Sequence, residues 1–487
     1  MSLLWALLLV PVACGIVAAV LPRPRAVLAT CAAGALAEAA LTALAVPAAL
    51  EAPVFAGGAQ LMMDALSAYN LAIVVLVFAF ASVYAIRYFG PAVRDGTFSR
   101  SMARRFGAAW FGFLASMVLV LLSNNVGLLW VAMETTTLAS GLLVCLEFDR
   151  PSVKAAWTYL MICSVGIALA LLGTFLLCGE ARGVTTGSQS PFLWTDLSAV
   201  ASRMQPGAVK LAFVFLLVGY GTKAGLAPMH TWLPDAHGQA PTPVSAVLSG
   251  VLLNCALYSI SRFLPVVEKA TGGHGWAFSL LVPFGLVSIV VAAAFIAYEH
   301  DLKRLLAYCS VEHIGIIALG LGLGAVPAAL FHTLNHSLAK MTAFFSVGNL
   351  YRQLGTRDSR RIDGLLRASP LSGAALLVAV LALVGAPSSS VFMSELWIAR
   401  DGVAGGHVAP VVAFLLGVAI IFVVLLRPVL GMAWRPVPEG VPRHRAHALD
   451  WPGLLLPLLL IVLLGVWMPP PLAQALARAS AVLGGAG

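Results

Sequence analysis

The chain has 487 residues, of which 60% are hydrophobic and only 10% charged, with a formal net charge of +9 and a mean hydropathy of +0.95. Soluble domains carry about 25% charged residues, so this chain cannot clothe a water-facing surface, and its apolar bulk equally excludes disorder. What remains is an all-α polytopic membrane protein.

At about 20 apolar residues per crossing, about fourteen transmembrane helices are predicted. They lie near 3–21, 26–49, 64–88, 106–123, 125–147, 153–178, 208–228, 241–265, 276–299, 302–323, 326–350, 369–399, 408–428 and 450–469. The opening stretch lacks a basic n-region and reads as a retained first span rather than a signal peptide. Between spans six and seven, SPFLWTDLSAVASRM predicts an interfacial helix. The seven cysteines fall inside or at the edges of apolar runs with no CxxC spacing, which supports neither an iron–sulfur cluster nor a disulfide framework.

Two spans carry helix breakers at membrane depth. The seventh reads GYGTKAGLAPMHTWLPDAHGQAPTP, with its first break at Pro228, and the twelfth reads LVGAPSSSVFMSEL, broken at Pro387. Irregular backbone is tolerated there only inside protein or along a wet cavity. Broken helices at matching places suggest two inverted five-helix repeats, spans 4–8 and 9–13, with broken helices 7 and 12. Three regions follow: N-terminal transmembrane helices over 1–105, a translocation core over 106–428, and a C-terminal helix and tail over 429–487.

Basic residues set topology. With the N-terminus outside, the inward loops hold 20 of the 29 Lys and Arg residues, among them Arg443 and Arg445; the outward segments hold seven, among them Arg262, and two lie within spans. Both termini are therefore expected on the periplasmic or outer side of the cell inner (cytoplasmic) membrane. Scattered singly or in short groups, these charges form no nucleic-acid patch.

The two exceptions are Lys223 and Lys340. Burying an ionisable group at the bilayer centre costs at least about 2.5–3.5 kcal/mol, so charges kept there in a chain that otherwise avoids them point to function. Glu134 sits mid-span in NVGLLWVAMETTTLASGLLVCLE, and Lys223 lies too deep to snorkel to either surface. In FHTLNHSLAKMTAFF, His332, His336 and Lys340 recur at i, i+4 and i+8, one stripe on one helix face with steps of about 6 Å. Glu395 follows near the outer end of its span. Asp64 and Glu312 stand near helix ends, where capping or pairing explains them equally well; Glu38, between alanines, can simply pack, and His313 completes the set. The HxxxH of His332 and His336 can bind metal, but the sequence offers no third ligand, so no metal is expected. Nothing in the chain is built to hold a haem, flavin or nickel, so no cofactor is expected either.

With those residues in place, the stretch Lys223-AGLAPMHTWLPDAHGQAPTPVSAVLSG, Glu134 on an earlier helix and DLKRLLAYCSVEHIG resemble the antiporter-like subunits of respiratory complex I, Mrp antiporters and group 4 membrane-bound hydrogenases, over roughly residues 60–400. AMETTTLASGLLVCLE and AAWTYLMICSVGIALALLGTF look most like component F of hydrogenase-4. The resemblance implies a transmembrane Glu134–Lys223 pair, a central lysine and an exit residue at Glu395. Several members carry the central lysine where Asn254 stands here; others carry it after an HxxxH, as Lys340 does. His230, Asp235, His237, Lys303, Glu312 and His313 fall within the resembling segments as supporting residues.

The implied function is proton translocation through a Glu/Lys/His chain, inside a redox complex whose chemistry resides on partners. Those partners are other membrane subunits and a peripheral arm with [NiFe] and iron–sulfur subunits, with membrane lipid around them. The chain has no redox site of its own. The alternatives are a subunit of a Mrp-type cation/proton antiporter or of NADH:quinone oxidoreductase, and, third, a passive anchor.

Overall fold

The computed structural model describes residues 3–273, 275–436 and 447–484. Its helices are α1 (Leu3–Val20), α2 (Pro24–Glu51), α3 (Ala65–Arg94), α4 (Arg100–Leu122), α5 (Val126–Val144), α6 (Arg150–Arg182), α7 (Trp194–Val200), α8 (Pro206–Ala224), α9 (Leu233–Gln239), α10 (Thr242–Val247) and α11 (Leu253–Ala270). They continue as α12 (Trp276–Ile296), α13 (Leu302–Gly322), α14 (Val326–Leu354), α15 (Leu365–Ala368), α16 (Pro370–Leu383), α17 (Ser390–Ala404), α18 (Val408–Trp434), α19 (Asp450–Val466) and α20 (Pro470–Val482). An antiparallel hairpin of β1 (Val54–Ala56) and β2 (Leu61–Met63) interrupts the helical pattern after α2, with Phe55 opposite Met62. The predicted interfacial helix is α7, followed by a short 3₁₀ turn.

Among the described residues, eleven helices are long and apolar enough to cross a membrane, or twelve if α19 and α20, bent by 79°, make one span. With α19 and α20 as one span, this count by length and composition falls two short of the expected fourteen, at the eleventh and twelfth spans. The eleventh predicted span is a continuous 29-residue helix, α14, but its histidines, asparagines and lysine make it too polar to count. The twelfth is divided into α16 and α17, of 14 and 15 residues, by a non-helical stretch around Pro387. Arg443 and Arg445 lie outside the described residues.

Burial sorts the helices. The α10–α11 run and α13 are buried along their whole apolar windows, whereas α1, α6, α12 and α18 are mostly peripheral and show Trp157, Phe175, Val290 and Val423 outward. A helix that is apolar all round is expected in the centre or in lipid; here the central ones are those that also carry buried polar groups. Close helix approach depends on glycine, as membrane packing without a hydrophobic drive requires. A Cβ at Gly219 of α8 would stand 2.5 Å from the Ala170 backbone nitrogen of α6, and one at Gly285 of α12 would stand 2.6 Å from the Gly315 carbonyl of α13.

Arg262, expected in an outward segment, is buried within α11. It donates two hydrogen bonds of 2.6 Å to the Asp64 carboxylate, which also caps α3 by accepting from the Ser67 N–H at 2.9 Å. The same guanidinium reaches Tyr258 and Ser67, and its ring neighbour Trp194 donates to the Arg262 carbonyl. Asp64 is thus both a cap and half of a buried ion pair tying α3, α7 and α11 together.

Candidate functional site

Lys223 stands in the last turn of α8 and is fully buried. The helix ends there because Gly225 takes a left-handed conformation (φ 79°), and the N–H groups of Gly225 and Leu226 bond back to the Thr222 and Gly221 carbonyls. Pro228 lies in the non-helical stretch between α8 and α9. The Lys223 ammonium donates to Thr137 Oγ1 at 2.9 Å and to the Tyr159 hydroxyl, and lies 4.6 Å from the Tyr159 ring centre. Tyr159 in turn meets Ser140 at 2.7 Å and packs on Trp232, whose Nε1–H donates to the Thr222 carbonyl.

Glu134 and Lys223, the pair that the resemblance implies, share no hydrogen bond and no ion pair within 4.0 Å. Glu134 is half-buried one helical turn from Thr137; one oxygen accepts from Ser164 at 2.7 Å and the other has no partner. The direct hydrogen bonds of the lysine go to hydroxyl groups rather than to the carboxylate.

Between α10 and α11 the backbone makes one π-helical turn, Leu248–Leu252. Such a turn shifts the helical ladder and leaves carbonyls available to side chains. The Gly250 carbonyl accepts from Ser337 Oγ at 2.6 Å and from Asn254 Nδ2 at 2.7 Å, and the Ser249 carbonyl meets His336 Nε2 at 3.2 Å. Asn254 also donates to Ser337 Oγ at 2.9 Å, so it joins α11 to α14 at the position where other family patterns place a lysine.

The α14 stripe is present and buried, but its three members make different hydrogen bonds. His332 Nε2 lies 2.9 Å from His313 Nδ1, and His332 Nδ1 lies 2.9 Å from Ser394 Oγ. Ser394 commits its only proton to the Val391 and Ser390 carbonyls and already accepts from Asn335. His332 Nδ1 therefore carries the hydrogen, and in the neutral ring Nε2 accepts from His313 Nδ1–H. His336 donates from Nε2 to the Ser249 carbonyl, leaving Nδ1 bare and buried without a partner. Lys340 donates to the Leu306 carbonyl of α13 at 2.7 Å. The hydrogen-bonded histidine pair is thus His313–His332, from two helices, and the His313 ring centre lies 5.0 Å from that of His336 as well.

Glu395 and Glu312 complete this cluster. The donor atoms of His313, His332 and Glu395 lie within 4.8 Å of one another, as do those of Cys309, Glu312 and His313, all of them buried. The third ligand that the sequence did not offer is therefore supplied by the fold. Neither Glu312 oxygen has a hydrogen-bond partner, nor does Glu395 Oε1. The other Glu395 oxygen occupies the space that a Cβ at Gly385 would need, and φ there is +68°. Gly385→Ala is therefore expected to cost about 1–2 kcal/mol from the left-handed backbone alone and to displace the carboxylate. A lowered thermal midpoint together with slowed proton translocation checks this.

The supporting residues divide. Lys303 is buried and donates to the Ala240 carbonyl at 2.6 Å. His237 stacks on Phe344 with both ring nitrogens unpartnered, and His230 packs edge-on to Phe295. Asp235 is half-exposed and pairs with Arg304, which also bonds Glu299 at 2.9 Å. Burial opposes the charge on Glu299, but the hydrogen bonds from Arg304, Asp301 and His300 hold its carboxyl below the usual range. Glu38 is fully buried with neither oxygen partnered. Among the described residues, no hydrogen bond joins the Lys223 cluster to the α14 cluster. Thr137, Tyr159, Ser164, Ser394 and Asn335 were not anticipated, although Thr137 at three residues from Glu134 and Ser394 beside Glu395 were available as signals.

A family model described as NADH:quinone oxidoreductase/Mrp antiporter, TM, matches residues 123–421. The hydrogenase-4 component F homolog of Methylacidiphilum infernorum is 35% identical over 433 residues, covering 88% of this chain and 89% of that protein. A chain of the archaeal membrane-bound sulfane sulfur reductase superposes with a TM-score of 0.87 at 21% identity, covering 99% of this chain and 97% of the other. A chain of the Mrp complex from Dietzia sp. gives 0.85 at 21%, covering 99% and 98%. At those identities the structural likeness speaks for the fold alone.

Proposed function

This chain belongs to the NADH:quinone oxidoreductase/Mrp antiporter transmembrane family, and from that membership we propose that it is the proton-translocating membrane subunit of a hydrogenase-4-type, group 4 [NiFe] redox complex. The observation that carries the transport reading is the set of ionisable side chains buried within the helices, Lys223, Glu312, His332, His336, Lys340 and Glu395, with Lys223 just before one helix break and Glu395 just after the other. The hydrogenase-4 assignment is supported by the near full-length likeness to the component F homolog.

In this reading α4 to α11 and α12 to α18 are the two inverted repeats, within a core over 106–428 flanked by 1–105 and 429–487. Both termini face the outer side of the inner membrane. A proton enters from inside, reaches the centre by Lys223, passes His336 and Lys340, and leaves by Glu395. Glu134, half-exposed on the side of α5, is where a neighbouring membrane subunit's charge would act; drawing Glu134 away lowers the hold on the Lys223 proton. Near the exit, a proton arriving at the bare Nε2 of His313 lets its Nδ1 proton pass to His332. Each charge moved against 100 mV costs about 2.3 kcal/mol, so redox partners, with [NiFe] and iron–sulfur subunits in a peripheral arm, supply the work.

The second reading, a cation/proton antiporter subunit, is supported by the family description, which names the Mrp antiporter beside NADH:quinone oxidoreductase. Purification of the intact complex separates the two. Nickel, iron and hydrogen-dependent proton uptake in reconstituted vesicles are expected. Sodium- or potassium-coupled proton exchange with no bound nickel would instead establish the antiporter reading.

A further inference from the structure

We infer that His313, His332 and Glu395 form a binding site for a divalent transition-metal cation of the zinc type, reached from the broken segment between α16 and α17. Three features carry this. First, three helices, α13, α14 and α17, each bring one nitrogen or oxygen donor to within 4.8 Å of the others. Ligands around zinc at about 2.0–2.1 Å stand roughly 3.4 Å apart in a tetrahedron. The 2.9 Å separation of His313 Nδ1 and His332 Nε2 must then open by a few tenths of an ångström, with the His313 hydrogen moving to its unpartnered Nε2, and the carboxylate must close by at most about 1.4 Å.

Second, the donors are oriented as ligands are. His332 gives its Nδ1–H to Ser394 Oγ, which fixes the tautomer and aims Nε2 at the cluster, the usual outer-shell arrangement for a metal-binding histidine. Glu395 Oε1 has no partner to lose. Cys309 and Glu312, whose donor atoms also lie within 4.8 Å of that of His313, offer a fourth ligand. Among the described residues these two overlapping groups are the only sets of three or more such donors. A mixed nitrogen, carboxylate and thiol set suits zinc or cobalt over magnesium or calcium.

Third, there is an approach. Glu395 lies directly beneath Gly385, and the next residues in the break, Pro387 and Ser388, are exposed. Metal binding does not depend on the transport reading; the expectation that bound metal stops proton exit does.

The test uses the purified complex in detergent with Zn²⁺ alone as the ligand. Equilibrium binding is expected to show one zinc per chain that is lost in both His332→Gln and Glu395→Gln. It should be retained in His300→Gln and His407→Gln, which remove exposed histidines outside the buried cluster. Equal zinc stoichiometry in all variants, or loss only with the exposed histidines, overturns the site. Should the cluster variants fail to assemble, the wild type answers alone: Co²⁺ bound there gives the visible absorption of a tetrahedral or five-coordinate ion, and its absence overturns the proposal. In vesicles, zinc added on the outer side is expected to slow translocation at least about tenfold. Zinc that binds at this site without slowing translocation supports the site and counts against the exit route.

Discussion

Lys223→Met is expected to abolish coupled proton translocation, to less than about one tenth of the wild-type rate or at least about 1.4 kcal/mol on the barrier, while leaving thermal stability unchanged or slightly raised. The two halves of that result come from one environment. The ammonium is fully buried, its hydrogen-bond acceptors are Thr137 and Tyr159, and among the described residues no carboxylate stands within 4.0 Å of it. A cation held by neutral hydroxyls gives the fold little, because its desolvation is not offset by a close counter-charge. Methionine fills a similar volume and removes that cost. Neither hydroxyl can replace an amine that gains and loses a proton, so function disappears while the fold remains. A stabilised variant that still pumps at the wild-type rate would sink the transport reading and leave the chain a passive anchor. Glu134→Gln is expected to be milder, since Glu134 is half-exposed and bonded to Ser164 rather than to the lysine.

What could be read in the sequence was local. The apolar runs, the helix breaks at Pro228 and Pro387 and the α14 stripe each depend on neighbours a few residues away, and hydropathy or helical periodicity records them. What could not be read was rotation and partnership. His332, His336 and Lys340 share a face by spacing, yet they face α13 and α17, the π turn, and α13 again, because helices differ in depth and crossing around α14. Lys223 finds its acceptors 86 and 64 residues earlier in the chain. The π turn at Leu248–Leu252 has no signal in an apolar run beyond a Ser-Gly pair. Length and hydropathy alone register fewer spans where function intrudes: a helix rich in histidine and asparagine is too polar, and a broken one is too short.

Arg262 shows the opposite balance to Lys223, and Arg262→Met is expected to destabilise the protein by about 3–5 kcal/mol, the range for leaving one member of a buried pair uncompensated. The Asp64 carboxylate would remain buried at the start of α3 with only the Ser67 N–H and hydroxyl near it. The double variant Asp64→Asn/Arg262→Met is expected to recover most of that loss, since the unpaired charge is then gone and the asparagine can still cap α3. Thermal midpoints of the four proteins in one detergent give the coupling between the two residues directly. The distinction from the transport residues lies in the second readout: molecules that stay folded should translocate protons at the wild-type rate. If instead Arg262→Met melts with the wild type but fails to pump, the pair belongs to the proton path, and the reading of Asp64 as a cap and structural anchor is wrong.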